Sequence, residues 1–358
     1  MAIRNAGSGQ SETWKEILSQ GQVWQTVLQQ IGQSAAVEKI LATSASRKEW
    51  IFVGCGSSYY LAEAAANSWT LLTGQRARAV PASEVLLFAQ LLKCNGGESQ
   101  AVVISRSGKT SETVRAAKTL SSALRIPTIG LTCAEASELE QMCDSTIVLR
   151  AADEKSMVMT RSFTSMLLCV QILAARCVGN LQFVRDLQRM AEHFAPRIPS
   201  IAEATETFVD KHSFADYIFL SQGPFYGIAR EASLKVMEMS CSYSQFFHAL
   251  EFRHGPKAIV SPATCLMFFL SETGRTAEQE VLAEMKELGG VTIAVCNHAD
   301  DSVRRASDLV IEVGFDENEL ALLAPYLVPG QLLGFFTGVR KGLDADHPKN
   351  LSRVVILD

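Results

Sequence analysis

The chain has 358 residues, enough for two domains of ordinary size, and its 47% hydrophobic and 20% charged residues argue for packed cores and against disorder. A net charge of −5 with no polybasic run leaves no footprint for nucleic acid. Nine cysteines without a C-x-x-C pair, several in apolar runs (Cys169, Cys265, Cys296), suit buried thiols in a reducing cytoplasm better than a disulfide framework. The opening MAIRNAGSGQ reads as a flexible leader without the apolar core of a signal peptide. The apolar stretches are interrupted short of a membrane span, so a soluble cytoplasmic protein with no membrane partner is expected.

In chain order, Ser11 is placed to cap a helix reaching about Ile31, with Trp14, Ile17, Leu18, Trp24, Val27, Leu28 and Ile31 on its apolar side. Residues 50–53 read as a buried strand, followed by Gly54-Cys-Gly56-Ser57-Ser58 and an alanine-rich helix. Residues 78–81 are short and extended. The strand 101–104 ends at Ser105-Arg106-Ser107-Gly108-Lys109-Thr110, which opens a helix over 111–120, and 127–131 and 145–149 are further strands. Strands alternating with helices predict a parallel sheet covered on both faces. A connecting helix over about 181–193 leads to a joint near 196–199.

The chain then repeats itself. Residues 218–223 echo 51–56, Phe269-Leu-Ser271-Glu-Thr-Gly274-Arg-Thr276 echoes 104–110, and 292–295 and 308–311 echo 128–131 and 144–147, at an offset of about 164–167. A period this long means duplicated domains, not a solenoid. The expected division is a leader and helical arm over 1–34, a first domain over 35–195, a second over 196–343 and a tail over 344–358.

The stretch 223–260 carries the chemistry. Nothing from Gly227 to Tyr243 breaks a helix, and Glu231, Lys235 and Glu238 fall at i, i+4 and i+7 on one face of an otherwise apolar segment. One reading is a solvated ion pair, Glu231 before Lys235. The other is an acid–base stripe facing a cleft, where burial and mutual charge tune the pKa values. Glu251-Phe-Arg-His254-Gly-Pro follows, adding an imidazole at a Gly-Pro turn.

This run resembles the isomerase half of glucosamine-6-phosphate synthase, which is two sugar isomerase (SIS) domains, and the related amino-sugar-phosphate deaminases and isomerases. The resemblance implies two tandem SIS domains, each a doubly wound, flavodoxin-like α/β fold, over most of the chain. It implies that Glu238 moves a proton between C2 and C1 of an open-chain sugar. His254, supplied by the neighbouring subunit of a homodimer, would open the ring, Lys235 would stabilise negative charge on the sugar oxygens, and Glu231 would orient water or the amino group. Glu251 reads as scaffold, and His193, His212 and His298 as packed or solvated; His248 lies outside the motif.

The resemblance also carries a phosphosugar clamp onto Ser57, Ser58, Ser105, Ser107 and Thr110, at the strand-to-helix turns where open parallel sheets bind ligands. Ordinary turn chemistry is the alternative for each loop taken alone. A nucleotide P-loop is excluded, because it needs a glycine five residues before Gly108, where Val103 stands. Arg106 departs from the synthase's glutamine; it either adds charge to phosphate binding or points away, and it is counted with the phosphate contacts. Residues 157–164 resemble the segment bordering the sugar, with Met159 where the family has a small polar residue. In the tail, Arg353, counted with the substrate contacts, stands where the synthase has the lysine that forms an imine with the ketose; a guanidinium stays protonated and forms no Schiff base, and Lys349 lies a turn away. No glutaminase half is expected, and neither a metal nor a cofactor is called for. The expected activity is conversion of glucosamine 6-phosphate to fructose 6-phosphate and ammonia. The alternatives are plain phosphosugar isomerisation, deglycation of a sugar-amine 6-phosphate, or a non-catalytic phosphosugar sensor.

Overall fold

A computed structural model describes residues 11–92 and 98–357; the predicted leader lies outside the described residues. It contains two five-stranded sheets, all of whose strand pairs are parallel. In the first, β1 (Glu49–Gly54), β2 (Arg76–Pro81), β3 (Ser99–Ile104), β4 (Thr128–Thr132) and β5 (Ser145–Val148) lie in the order β2-β1-β3-β4-β5. In the second, β6 (Asp216–Ser221), β7 (Tyr243–His248), β8 (Thr264–Phe269), β9 (Val291–Cys296) and β10 (Leu309–Glu312) lie in the order β7-β6-β8-β9-β10. Each sheet follows the doubly wound order 2-1-3-4-5, with its switch point between the first and third strands. The duplication predicted from the sequence is therefore a duplication of topology. The near-continuous apolar runs of β1, β3, β6, β8 and β9 are those of strands buried on both faces.

The residues divide into two compact units. One comprises 22–92, 98–154, 161–189 and 352–357, with the first sheet; it is called the clamp unit below. The other comprises 11–21, 155–160 and 190–351, with the second sheet; it is called the stripe unit.

Three local expectations need correction. The helix predicted over 11–31 is two helices, Glu12–Leu18 and Gln20–Gly32. Ser11 caps the first as expected, accepting from the Trp14 N–H, but Ser19 ends it with its own N–H shared between the Ile17 and Lys15 carbonyls and its hydroxyl donated to the Glu16 carbonyl. The helix predicted to continue to Tyr243 runs Phe225–Ser240, closed by Cys241 at φ 47° with its N–H on the Met237 carbonyl. Residues after that left-handed cap form β7, an unforeseen edge strand. Finally, one helical stretch, Glu319–Arg340, is long and apolar enough to cross a membrane, and its apolar 18-residue window lies wholly buried as a core helix. The helix Leu323–Arg340 passes through Pro329.

That core helix is what sets the position of the Glu231–Lys235–Glu238 stripe. A β-carbon added at Gly330 would sit 2.5 Å from Ala232 Cβ, at Gly334 2.8 Å from the Lys235 carbonyl oxygen, and at Gly338 2.2 Å from the Met239 carbonyl oxygen. Glycine at every fourth position lets the two helix backbones meet almost directly. The arm helix Glu12–Leu18 braces the same unit: Trp14 stacks on Phe335 at 5.3 Å, Asp346 accepts the Glu12 and Thr13 N–H groups, and Glu16 accepts the Lys155 N–H. The half-buried Asp346 carboxylate at this helix N-terminus is well compensated.

Candidate active site

In the stripe unit the helix Phe225–Ser240 begins directly after β6, across the turn at Gly223. Its i, i+4, i+7 spacing brings the three predicted groups together. Lys235 Nζ lies 3.2 Å from Glu231 Oε1 and donates a short hydrogen bond to Glu238 Oε2. The side chains of Lys235 and Glu231 are wholly inaccessible to solvent, whereas Glu238 keeps 16% of its surface. The solvated-pair reading of the stripe therefore fails. Burial pulls the Lys235 pKa down, but the two carboxylates more than offset it, and the net shift is upward. Lys235 is a fixed ammonium, suited to stabilising negative charge and not to accepting a proton. Glu238 is the member of the stripe that a substrate can reach.

His254 follows the turn Glu251–Arg253 and is exposed. Its N–H closes that turn on the Glu251 carbonyl at 3.0 Å, but among the described residues its imidazole is in no hydrogen bond, ion pair or ring contact. The structure does not bring it to the stripe. His248 stacks on Tyr226 at 3.7 Å and holds Gln222; His193 and His212 bond main-chain carbonyls, and His298 pairs with Asp316.

In the clamp unit the two predicted loops follow β1 and β3, adjacent strands at the switch point. Ser57 and Ser58 open the helix Ser57–Thr73 and are nearly buried. The turn 105–108 is fixed by the Gly108 N–H donating to Ser105 Oγ at 3.1 Å, and Ser107 Oγ accepts from the Lys109 N–H. Gly108 has φ 61°, and a β-carbon there would fall 2.4 Å from Ser137 Oγ, so both conformation and space demand glycine. Thr110 precedes the helix Ser111–Lys118 with a hydroxyl that makes no hydrogen bond among the described residues. Ser57, Ser58 and Thr110 thus stand at helix N-termini, where an anion is favoured.

Arg106 does something the sequence left open. Its side chain, 5% exposed, pairs at 3.2 Å with Glu154, whose carboxylate is fully buried and also accepts the Ser162 N–H and hydroxyl. Arg353 lies against the same segment, on Asp153 and on the Glu154 main-chain carbonyl. Sequence reasoning missed Glu154. It lies 48 residues from Arg106 and 199 from Arg353, and local spacing carries no signal at that range.

The comparisons with known proteins follow the same division. The SIS domain family model matches residues 45–176 and 216–333. Glutamine–fructose-6-phosphate aminotransferase (isomerizing) of Methanothermobacter thermautotrophicus is 26% identical over 337 residues, covering 94% of this chain and 54% of the relative. The Pyrobaculum aerophilum aminotransferase of the same name is 27% identical over 339 residues, covering 91% and 54%. The chain thus spans about half the length of the curated relatives it matches. Among solved structures, glucosamine-6-phosphate deaminase from Thermotoga maritima is 28% identical with a TM-score of 0.76, covering 97% of this chain and all of that one. Tagatose-6-phosphate ketose/aldose isomerase from Escherichia coli shares the fold with a TM-score of 0.84, at 22% identity and coverage of 97% and 99%.

Proposed function

The chain belongs to the SIS domain family, and from that premise we propose that it is an isomerising deaminase of an amino-hexose 6-phosphate, acting on glucosamine 6-phosphate. The observation that carries this reading is the buried Lys235 ammonium held between Glu231 and the accessible Glu238 on one helix face. A ligand-holding domain gains nothing from such a group, because an ionised triad away from water is costly unless it is used. The 28% identity to a Thermotoga maritima protein named glucosamine-6-phosphate deaminase adds weight to the deaminase over the plain isomerase.

The phosphate would be held by Ser57, Ser58, Ser105, Ser107 and Thr110. After ring opening, the Glu238 carboxylate takes the C2 proton and returns it to C1, while a proton passes from the C2 amino group to O1, leaving an imine at C2 and a hydroxyl at C1. Lys235 lowers the barrier by holding the negative charge that develops on the sugar oxygens. Water then adds to C2 and ammonia leaves, so that glucosamine 6-phosphate and water give fructose 6-phosphate and ammonia. Ring opening falls to His254 of a second copy in a homodimer, in keeping with an exposed imidazole that makes no side-chain contact among the described residues. Imine hydrolysis needs no Schiff-base lysine, which is consistent with arginine at 353.

The test is release of ammonia and fructose 6-phosphate from glucosamine 6-phosphate by the purified protein, with glucose 6-phosphate as control. Equal release of both products is expected. Fructose 6-phosphate from glucose 6-phosphate without ammonia from the amino sugar would replace this reading with the plain isomerase.

A further inference from the structure

Two arginines of the clamp unit and Glu154 close a ring of contacts. The Arg106 guanidinium donates to the Glu154 carboxylate at 3.2 Å. The Arg353 guanidinium donates to the Glu154 main-chain carbonyl and pairs with Asp153 at 2.9 Å. Arg106 Nη2 then donates to the Arg353 carbonyl at 3.5 Å, the longest of the set. A carboxylate and a guanidinium this deeply buried persist only when paired, so the Arg106–Glu154 contact is an obligatory element of the fold. Arg353, 41% exposed, is the removable member.

The same tail is fastened a second time, beyond the loop. The Ser111 N–H donates to the Val355 carbonyl at 3.2 Å, the Leu357 N–H to Ser111 Oγ at 3.0 Å, and Arg115 to the Leu357 carbonyl at 3.0 Å. Tail residues 353–357 therefore grip the 105–110 turn at both of its ends: through Glu154 and Arg106 at the strand side, and through Ser111 at the helix side. The sequence departs from the synthase pattern at both Arg106 and Arg353, and these two positions meet on one glutamate.

We infer that Glu154 is a positioning residue through which the tail sets the conformation of the 105–110 loop and hence the affinity for the sugar phosphate group. The inference rests on the reading of that loop as the phosphosugar clamp, but its mechanical part does not.

The experiment uses the full chain and amide hydrogen exchange without ligand. Arg353→Ala, a surface change that leaves the buried pair intact, should speed exchange at Ser111 and Leu357 and also at Gly108 and Lys109, roughly ten-fold. Lys349→Ala, in the same tail but outside the ring, should leave all four unchanged. Unaltered exchange at Gly108 and Lys109 in Arg353→Ala overturns the inference. Glu154→Gln should loosen the same four amides, and Arg106→Gln/Glu154→Gln, which removes both buried charges, covers the case in which the single variant does not fold. With glucosamine 6-phosphate as substrate, Arg353→Ala should raise KM about ten-fold and hold kcat within about two-fold, and Arg353→Lys should recover part of that loss. A fall in kcat at unchanged KM also overturns it. If the wild-type protein does not turn over glucosamine 6-phosphate, the proposed activity is wrong, and the exchange data alone decide the role of Glu154.

Discussion

In the function proposed above, the two copies of the duplicated domain divide the work between them, and corresponding positions in the two differ accordingly. In the first copy the turn Ser105–Gly108 leaves Ser107 and Thr110 near a helix N-terminus, with Arg106 at its second position. In the second copy, at an offset of 166, the turn Ser271–Gly274 has the same skeleton, the Gly274 N–H donating to Ser271 Oγ at 2.9 Å. Yet Glu272 replaces the arginine, and the Glu319 carboxylate already occupies the turn's donors: the Glu272 N–H at 2.8 Å, the Thr273 N–H at 3.3 Å, and the Thr273 hydroxyl. The protein's own carboxylate sits where an anion would. The helices after the first strand divide in the opposite sense. At an offset of 167, Glu231, Lys235 and Glu238 correspond to Ala64, Ser68 and Leu71. On the proposed reading, one copy keeps the anion turn and a helix without ionisable groups at these three positions, the other an acid–base helix and a turn filled by Glu319.

Changes to the active helix test this division most severely. Glu238→Gln should lower turnover roughly 10²–10⁴-fold, the usual contribution of a positioned base. Calorimetric binding of the phosphosugar should stay within a few-fold of wild type, because the clamp residues belong to the other copy. Loss of binding in parallel would mean that the division is false. Lys235→Met leaves Glu231 and Glu238 without their shared cation and should cost about 3–5 kcal/mol in chemical denaturation at pH 8. The folded Lys235 pKa is raised above 10.5, so its contribution is complete below that pH and disappears as pH climbs through the raised value. Melts in the alkaline range should show this loss in wild type and not in Lys235→Met.

How much of this was legible in the sequence depended on the range of each signal. The stripe was readable because its i, i+4, i+7 spacing is local, and the duplication because an offset survives in the residue string. The sheet order followed from βα alternation only as a class. β7 was missed because Tyr243-Ser-Gln-Phe-Phe-His248 starts polar and sits on an edge, where alternation need not be clean. The glycine ladder at 330, 334 and 338 had a visible four-residue spacing, but its meaning depends on which backbone it meets, and that is a tertiary fact. The charge on Glu319 belongs to the same category: nothing near it in sequence marks it as the occupant of a turn 46 or 47 residues away.

The filled turn makes smaller predictions of its own. Glu278, buried beneath it, accepts the Ser271 N–H and hydroxyl, yet burial pushes its carboxyl up to about 7. A folded pKa above the unfolded 4.5 means stability that is complete below pH 4.5 and declines as pH rises through 7. Glu278→Gln removes the titration while keeping an acceptor for Ser271, so it should raise stability by up to about 3 kcal/mol at pH 8, with little effect at pH 4. A pH-independent change would assign the effect to packing.

Glu319 gives the smallest change in stability and the most direct test of the comparison. Its three donors lie on an exposed turn, where water can replace the carboxylate, so Glu319→Ala should cost only about 1 kcal/mol. What changes is the turn's availability. If the second copy lost its anion site because this carboxylate fills it, the variant should take up one inorganic phosphate more per chain than wild type in equilibrium dialysis. An unchanged stoichiometry would place the loss of function in Glu272, whose negative charge stands where the first copy has Arg106. Glu272→Arg in the Glu319→Ala background would then be the change that restores phosphate uptake, because it returns the second position of the turn to the sign found in the first.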